Sequence, residues 1–311
     1  MRPTEHSDDG RPGRSPTPAR PLDFDFMDAS EWLDFHCELW DVVGELDLAV
    51  STIGAGAIRL RHGHSVGLLQ LAQHCHLRPP DQWRPLIVDH LRTMTAHLHD
   101  IVEPFSMFDL RVRLVPDTPD DEVTLRALGA RPFAEGIVQV LAIDVADAIR
   151  CVPVTEVTER GWDLDEAWRS ALAQTEMFEA PEEIHTIDIG GVDIIHVFGE
   201  RSFTAGMIGV VDRLVAEIAH IGTTGAIVSM PLRHSMLVHP VDGAEVRTAI
   251  AGMIPITRQL FKQGPGSVSP HLYWWREGRL QWIPTFFDGT IEGVEFYPSA
   301  ELADVIAGFV D

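Results

Sequence analysis

The chain has 311 residues, enough for one large domain or two smaller ones, and 45% of them are hydrophobic, which supplies a sizeable core. Its net charge is −23, with Lys262 the single lysine among 24 basic residues. Such a surface repels phosphate backbones and anionic bilayers, so neither a nucleic acid nor a membrane is an expected partner.

Residues 1–21 are rich in Pro, Arg, Asp, Gly and Ser and read as a disordered tail. Residues 22–105 read as an N-terminal α+β subdomain. There, Ser30 is the expected N-cap of a helix whose inner face is Trp32, Leu33, His36, Trp40 and Val43. A strand is expected at Leu48–Ile53, then a hairpin of Ala57–Leu60 and Val66–Leu71 across His62-Gly63-His64. A second helix follows Pro79-Pro80, over Asp81–His99. Gly54-Ala55-Gly56 opens like a dinucleotide fingerprint, but Arg59 stands where the third glycine belongs and no helix follows, so that reading is rejected.

Residues 106–311 read as the main α+β domain. Leu110, Val112 and Leu114 alternate as a strand, Asp117–Glu122 is an acidic loop, and Gly136–Val145 is strongly β-forming. Asp163 with Glu166 resembles a capping box, opening a helix with Leu164, Trp168, Ala171, Leu172 and Thr175 inward. Two β-branched runs flank Gly190-Gly191, the pair that a two-residue hairpin turn needs. From Met207, apolar residues recur at Val210, Val211, Leu214, Val215, Ile218 and Ile221, which predicts an amphipathic helix over 206–221. Ala226-Ile227-Val228 and Leu237-Val238 supply returning strands. A helix begins near Asp242 and should bend or restart at Pro255. Leu272–Trp275 and Leu280–Ile283 form a hairpin over Arg276-Glu277-Gly278-Arg279, and Ser299 caps a last helix.

The expected class is therefore α+β, a mixed or antiparallel sheet with helices mainly on one face, preceded by a smaller helix-hairpin-helix region. Several short segments carry a resemblance: Val140-Leu141-Ala142-Ile143-Asp144, Gly161-Trp162 leading into Asp163, Val228-Ser229-Met230-Pro231, Ile254-Pro255-Ile256-Thr257, and Trp275–Leu280. In their order, over roughly residues 110–283, the chain resembles the YtpQ-like family of uncharacterised bacterial proteins. The family pattern places an asparagine where this chain has Gln174-Thr175. The resemblance implies a fold and supplies no active site.

No catalytic motif stands out. His62, His64, His74, His76, His90, His97 and His99 crowd one stretch with Cys75, and imidazole and thiolate are metal ligands. Paired spacings such as HExxH or CxxC are absent, so a surface cluster is the expected reading and His62, His64, His74 and His76 are the weaker metal alternative. The three cysteines, Cys37, Cys75 and Cys151, are far apart and give no disulfide framework. His234-Ser235 invites a nucleophile reading, but strand neighbours point to opposite faces and no GxSxG elbow exists. Asp144, Asp147, Asp163 and Glu166 are carboxylates without a paired role; capping and solvation account for Asp163 and Glu166. Trp274, Trp275 and Trp282, with Arg276 and Arg279, are the candidate partner-binding residues, because exposed tryptophan beside arginine is typical of contact surfaces.

The expected function is a cytoplasmic, non-enzymatic interaction protein without a cofactor, binding a protein partner (a chaperone client is one form) or associating with itself. The alternatives are a metal-assisted hydrolase using the histidines and a small-ligand sensor.

Overall fold

The computed structural model describes residues 18–20, 24, 26–54, 56–61, 65–99, 105–117, 122–145, 148–199, 203–264, 266–287 and 293–309. Almost all of the expected tail, His62, His64, Asp147 and most of the Asp117–Glu122 loop fall outside the described residues. The fold is α+β, and every pairing between described strands is antiparallel. The chain divides into two compact units, Met1–Ile101 and Val102–Asp311.

The first unit contains α1 (Ala29–Glu45), the three-stranded meander β1 (Val50–Ile53), β2 (Ala57–Leu60) and β3 (Ser65–Gly67), then α2 (Leu69–His76) and α3 (Trp83–His99). Asp28, not Ser30, caps α1: its carboxylate accepts from Ser30 N at 2.7 Å and Glu31 N at 2.9 Å, while Glu31 reaches back to Asp28 N. Such a reciprocal box stabilises a helix start by about 1 kcal/mol. The expected strand Val66–Leu71 stops at Gly67, and α2 replaces its second half. Leu68, Leu71, Ala72 and Cys75 are buried at helical spacing, and that periodicity outweighs the β-branched Val66. These residues join Trp32, Phe35, Leu39, Ile58, Trp83, Ile87 and Leu91 in one cluster.

In the second unit, β4 (Arg111–Pro116), α4 (Glu122–Ala127), β5 (Arg131–Ala134), β6 (Ile137–Val145) and β7 (Ala148–Cys151) come first. They build a four-stranded sheet in which β6 pairs with β4, β5 and β7. Next come α5 (Val154–Glu159) and α6 (Leu164–Phe178), which pack on that sheet through Val157, Ala167, Trp168 and Ala171. Leu172, expected inward, is exposed. Thr175, in the region where the family pattern has asparagine, is fully buried and accepts from Val112 N at 2.8 Å, so a helix side chain caps the outer edge of β4.

A six-stranded sheet follows, in the order β13-β12-β10-β11-β9-β8. Its members are β8 (Glu183–Ile189), β9 (Val192–Phe198), β10 (Ala226–Leu232), β11 (Ser235–Pro240), β12 (Leu272–Arg276) and β13 (Arg279–Ile283). Gly190 and Gly191 turn β8 into β9 with φ of 66° and 85°, a conformation that L side chains resist. On one face lies α8 (Val246–Gln263), presenting Val246, Ala249, Ile250, Met253 and Ile254, with α9 (Ala300–Ala307) adding Leu302 and Ile306. A two-stranded ribbon, β14 (Thr285–Phe287) with β15 (Val294–Phe296), packs beside α8. The helix α8 does not restart at Pro255 but runs through it. The lost amide bond is offset by the buried apolar residues on both sides.

The opposite face is covered by residues 204–221, and here the expectation of a regular helix fails. Thr204–Val210 is a 3-10 stretch, α7 (Val211–Leu214) is a single turn, and residues 215–218 are turns. The apolar positions nevertheless point inward as the spacing requires: Met207, Ile208, Val210, Val211, Val215 and Ile221 pack against Ile195, Val197, Val228 and Val238. Only Ile218 faces out. Gly206 explains the tighter winding, since a Cβ there would lie 2.8 Å from Val112 O and 3.2 Å from Thr175 Cγ2. Close approach to β4, together with the low helix propensity of Gly206, Gly209 and the valines, displaces the α-helix.

Candidate functional site

The β12–β13 hairpin turns at Glu277-Gly278, with φ of 49° and 76°, and its register pairs Arg276 with Arg279, Trp275 with Leu280, and Tyr273 with Trp282. Directly opposed residues share a face. Trp274, Arg276 and Arg279 therefore belong to the α8 side, and Trp275 and Trp282 to the other. The five residues form no single patch. Trp274 is 3% exposed in the α8-side cluster and donates through Nε1 to Thr224 O, while Trp275 is 6% exposed in the opposite cluster. Both are core, which corrects their reading as contact residues. Arg276 lies over the Trp274 ring and pairs with Glu301 at the start of α9. Arg279 stays exposed, and Trp282, 37% exposed, rests against His271. A two-residue turn dictates this separation.

Among the histidines of the first unit, His76 is engaged by Glu31 at 3.2 Å and by the Phe26 ring. His90 is held below its usual range by burial and by the neighbouring His74. No group of three His, Cys, Asp or Glu within metal-binding reach occurs among the described residues. The Cys75 thiol is buried and pushed up to about 12 by desolvation, the reverse of what a thiolate ligand or nucleophile needs.

Ser235 does find a histidine, though not its sequence neighbour. Its Oγ lies 2.8 Å from His196 Nε2, because Leu237 opposite His196 and Ser235 opposite Phe198 put all four side chains on one face. Burial, then His185 and His234, hold His196 below its usual range, so it is neutral and fit to accept a proton. Ser235 itself is 2% exposed, and the nearest carboxylate along the row, Glu183, lies 3.8 Å from His185 rather than on His196. A buried hydroxyl without an orienting acid on its histidine makes a structural hydrogen bond, not a nucleophile.

The surface that sequence reasoning missed is the outer edge of β8. This strand closes the six-stranded sheet and pairs with β9 over all seven residues without a bulge. The tight turn makes Ile189 and Val192 a hydrogen-bonded pair, so residues 183, 185, 187 and 189 bond inward to β9. The bond from Gly199 N to His234 O keeps the same parity on the far side of β9. The N–H and C=O groups of Ile184, Thr186 and Asp188 consequently point outward, and none of them meets a partner among the described residues. The strand holds no proline and no lysine, two of the usual guards of an exposed edge, and its charged residues are Glu183 and Asp188. Ile184, Ile187 and Ile189 are half-buried, and Glu183, His185, Thr186 and Asp188 are exposed. On edge β4 the Val112 amide donates to Thr175 Oγ1, and β13, at the other end of the six-stranded sheet, is a five-residue strand followed by Pro284. The signal was present in the sequence as an alternating, proline-free run before Gly190-Gly191, but nothing there says which strand ends a sheet.

No protein-family model matches the chain, and neither a curated protein nor a solved structure does. No helix among the described residues is long and apolar enough to cross a membrane.

Proposed function

We propose that the chain is a non-enzymatic interaction protein that takes up an extended protein segment as an added strand along β8. What carries the reading is the run of outward backbone groups at Ile184, Thr186 and Asp188, on an unbulged seven-residue edge beside half-buried isoleucines. Main-chain bonding supplies affinity in this mode, and alternate side chains supply selectivity. The exposed acids Glu182, Glu183, Asp188 and Asp193 along this margin disfavour any incoming strand that sets its own carboxylates directly opposite them. Membership of the YtpQ-like family is part of the same proposal and bears on the fold alone; its segments fall on β6, the start of α6, β10, α8 and the β12–β13 turn.

A photo-cross-linking residue placed at Asp188 in the native cell tests it. Discrete protein adducts are expected from that position, and they should vanish when Thr186→Pro is added. Adducts that persist with Thr186→Pro, or that arise equally from Phe286 outside the six-stranded sheet, would refute the edge.

A further inference from the structure

We infer that the strand received by β8 is β8 of a second copy, antiparallel and two-fold symmetric about Thr186. The inference rests on the reading of β8 as the contact edge and adds the occupant. Its first support is parity. With Thr186 facing Thr186 and Ile184 facing Asp188, every outward N–H meets an outward C=O, because 184, 186 and 188 are the residues whose groups leave the sheet. A shift by one residue would set outward groups against inward ones.

The second support is the side-chain ledger of that register. On the α8 side, Glu183 falls opposite Ile189 and His185 opposite Ile187; on the other side, Ile184 falls opposite Asp188. No two like charges oppose one another, although Glu183 and Asp188 make the edge acidic. The axis holds a Thr–Thr pair, a favourable cross-strand combination. The half-buried Ile184, Ile187 and Ile189 of each copy lose their remaining exposure to the partner strand, and the two six-stranded sheets become one continuous sheet. One strand pair is a small interface, so dissociation is expected at roughly micromolar concentration. Each copy carries −23, so added salt should tighten the dimer by screening, the opposite of an interface built on ion pairs.

Sedimentation of the full chain from about 1 μM to about 200 μM brackets the expected transition. Two variants decide the register: Thr186→Lys and Thr186→Glu, each at an exposed position. Each alone places like charges across the axis and should weaken association roughly two- to five-fold, whereas an equimolar mixture should recover it. Restoration by mixing is a property of a two-fold axis at Thr186 and of no heterologous partner. A chain that stays monomeric throughout would overturn the second copy as occupant; the proposed edge would then stand or fall on the cross-link at Asp188. A dimer untouched by Thr186→Pro would likewise overturn the second copy at β8, leaving the edge itself to the cross-link at Asp188. A dimer lost to Thr186→Pro but not rescued by mixing would overturn the symmetric register.

Discussion

His36 shows how one buried side chain contributes to the pH response of the first unit. It is fully buried, its ring lies against Trp32 and Phe35, and neither ring nitrogen has a hydrogen-bond partner among the described residues. Burial lowers its pKa from 6.5 to about 4. The folded chain therefore holds a neutral imidazole while the unfolded chain takes up a proton below 6.5, so stability falls as pH drops from 6.5 toward 4. The loss amounts to as much as about 1.4 kcal/mol per pH unit for one proton. In urea melts followed between those pH values, His36→Leu should flatten the dependence by about one proton. An unchanged slope would place the titration elsewhere. At this scale the sequence was only partly legible. His36 belonged to the expected inner face, but Asp28 displaced Ser30 as cap because its carboxylate reaches two amides. Ser235 met His196 through a cross-strand register that no local spacing encodes.

At the scale of elements, the parity of β8 makes a sharp distinction between adjacent residues. Thr186 N–H points outward, so Thr186→Pro removes no bond of the β8–β9 ladder, and the variant should remain folded with little change in stability. His185 N–H points inward to His196, so His185→Pro breaks the ladder, leaves the His196 carbonyl without its donor and should cost about 1–3 kcal/mol. Equal effects of the two substitutions in thermal or urea melts would contradict the assigned bonding pattern. The hairpins were readable because Gly190-Gly191 announces a two-residue turn and Gly278 marks the second, though the structure narrows the expected four-residue connection Arg276–Arg279 to Glu277-Gly278. The segment after Thr204 was readable in its burial but not in its winding. Periodicity reports which side chains face the core, whereas the close approach of Gly206 to Val112 O is a tertiary fact. The same limit hid the edge: alternation identifies β8 as a strand, and only the finished order β13-β12-β10-β11-β9-β8 leaves it last.

Taken whole, the molecule is two units whose hydrophobic clusters each draw on one unit alone, Phe24 to Met94 in the first and Phe105 to Phe309 in the second. The second unit places Trp274 and Trp275 in the core and leaves the outward backbone groups of β8 without a partner among the described residues. That edge carries the proposed interaction, and amide exchange resolved by residue on the full chain tests it most directly. In dilute protein, Ile184, Thr186 and Asp188 should exchange freely while His185 and Ile187 are protected by β9. In associated protein, the three should become protected together. Protection of all five in dilute protein, or free exchange of the three in a demonstrated complex, would contradict β8 as the contact edge.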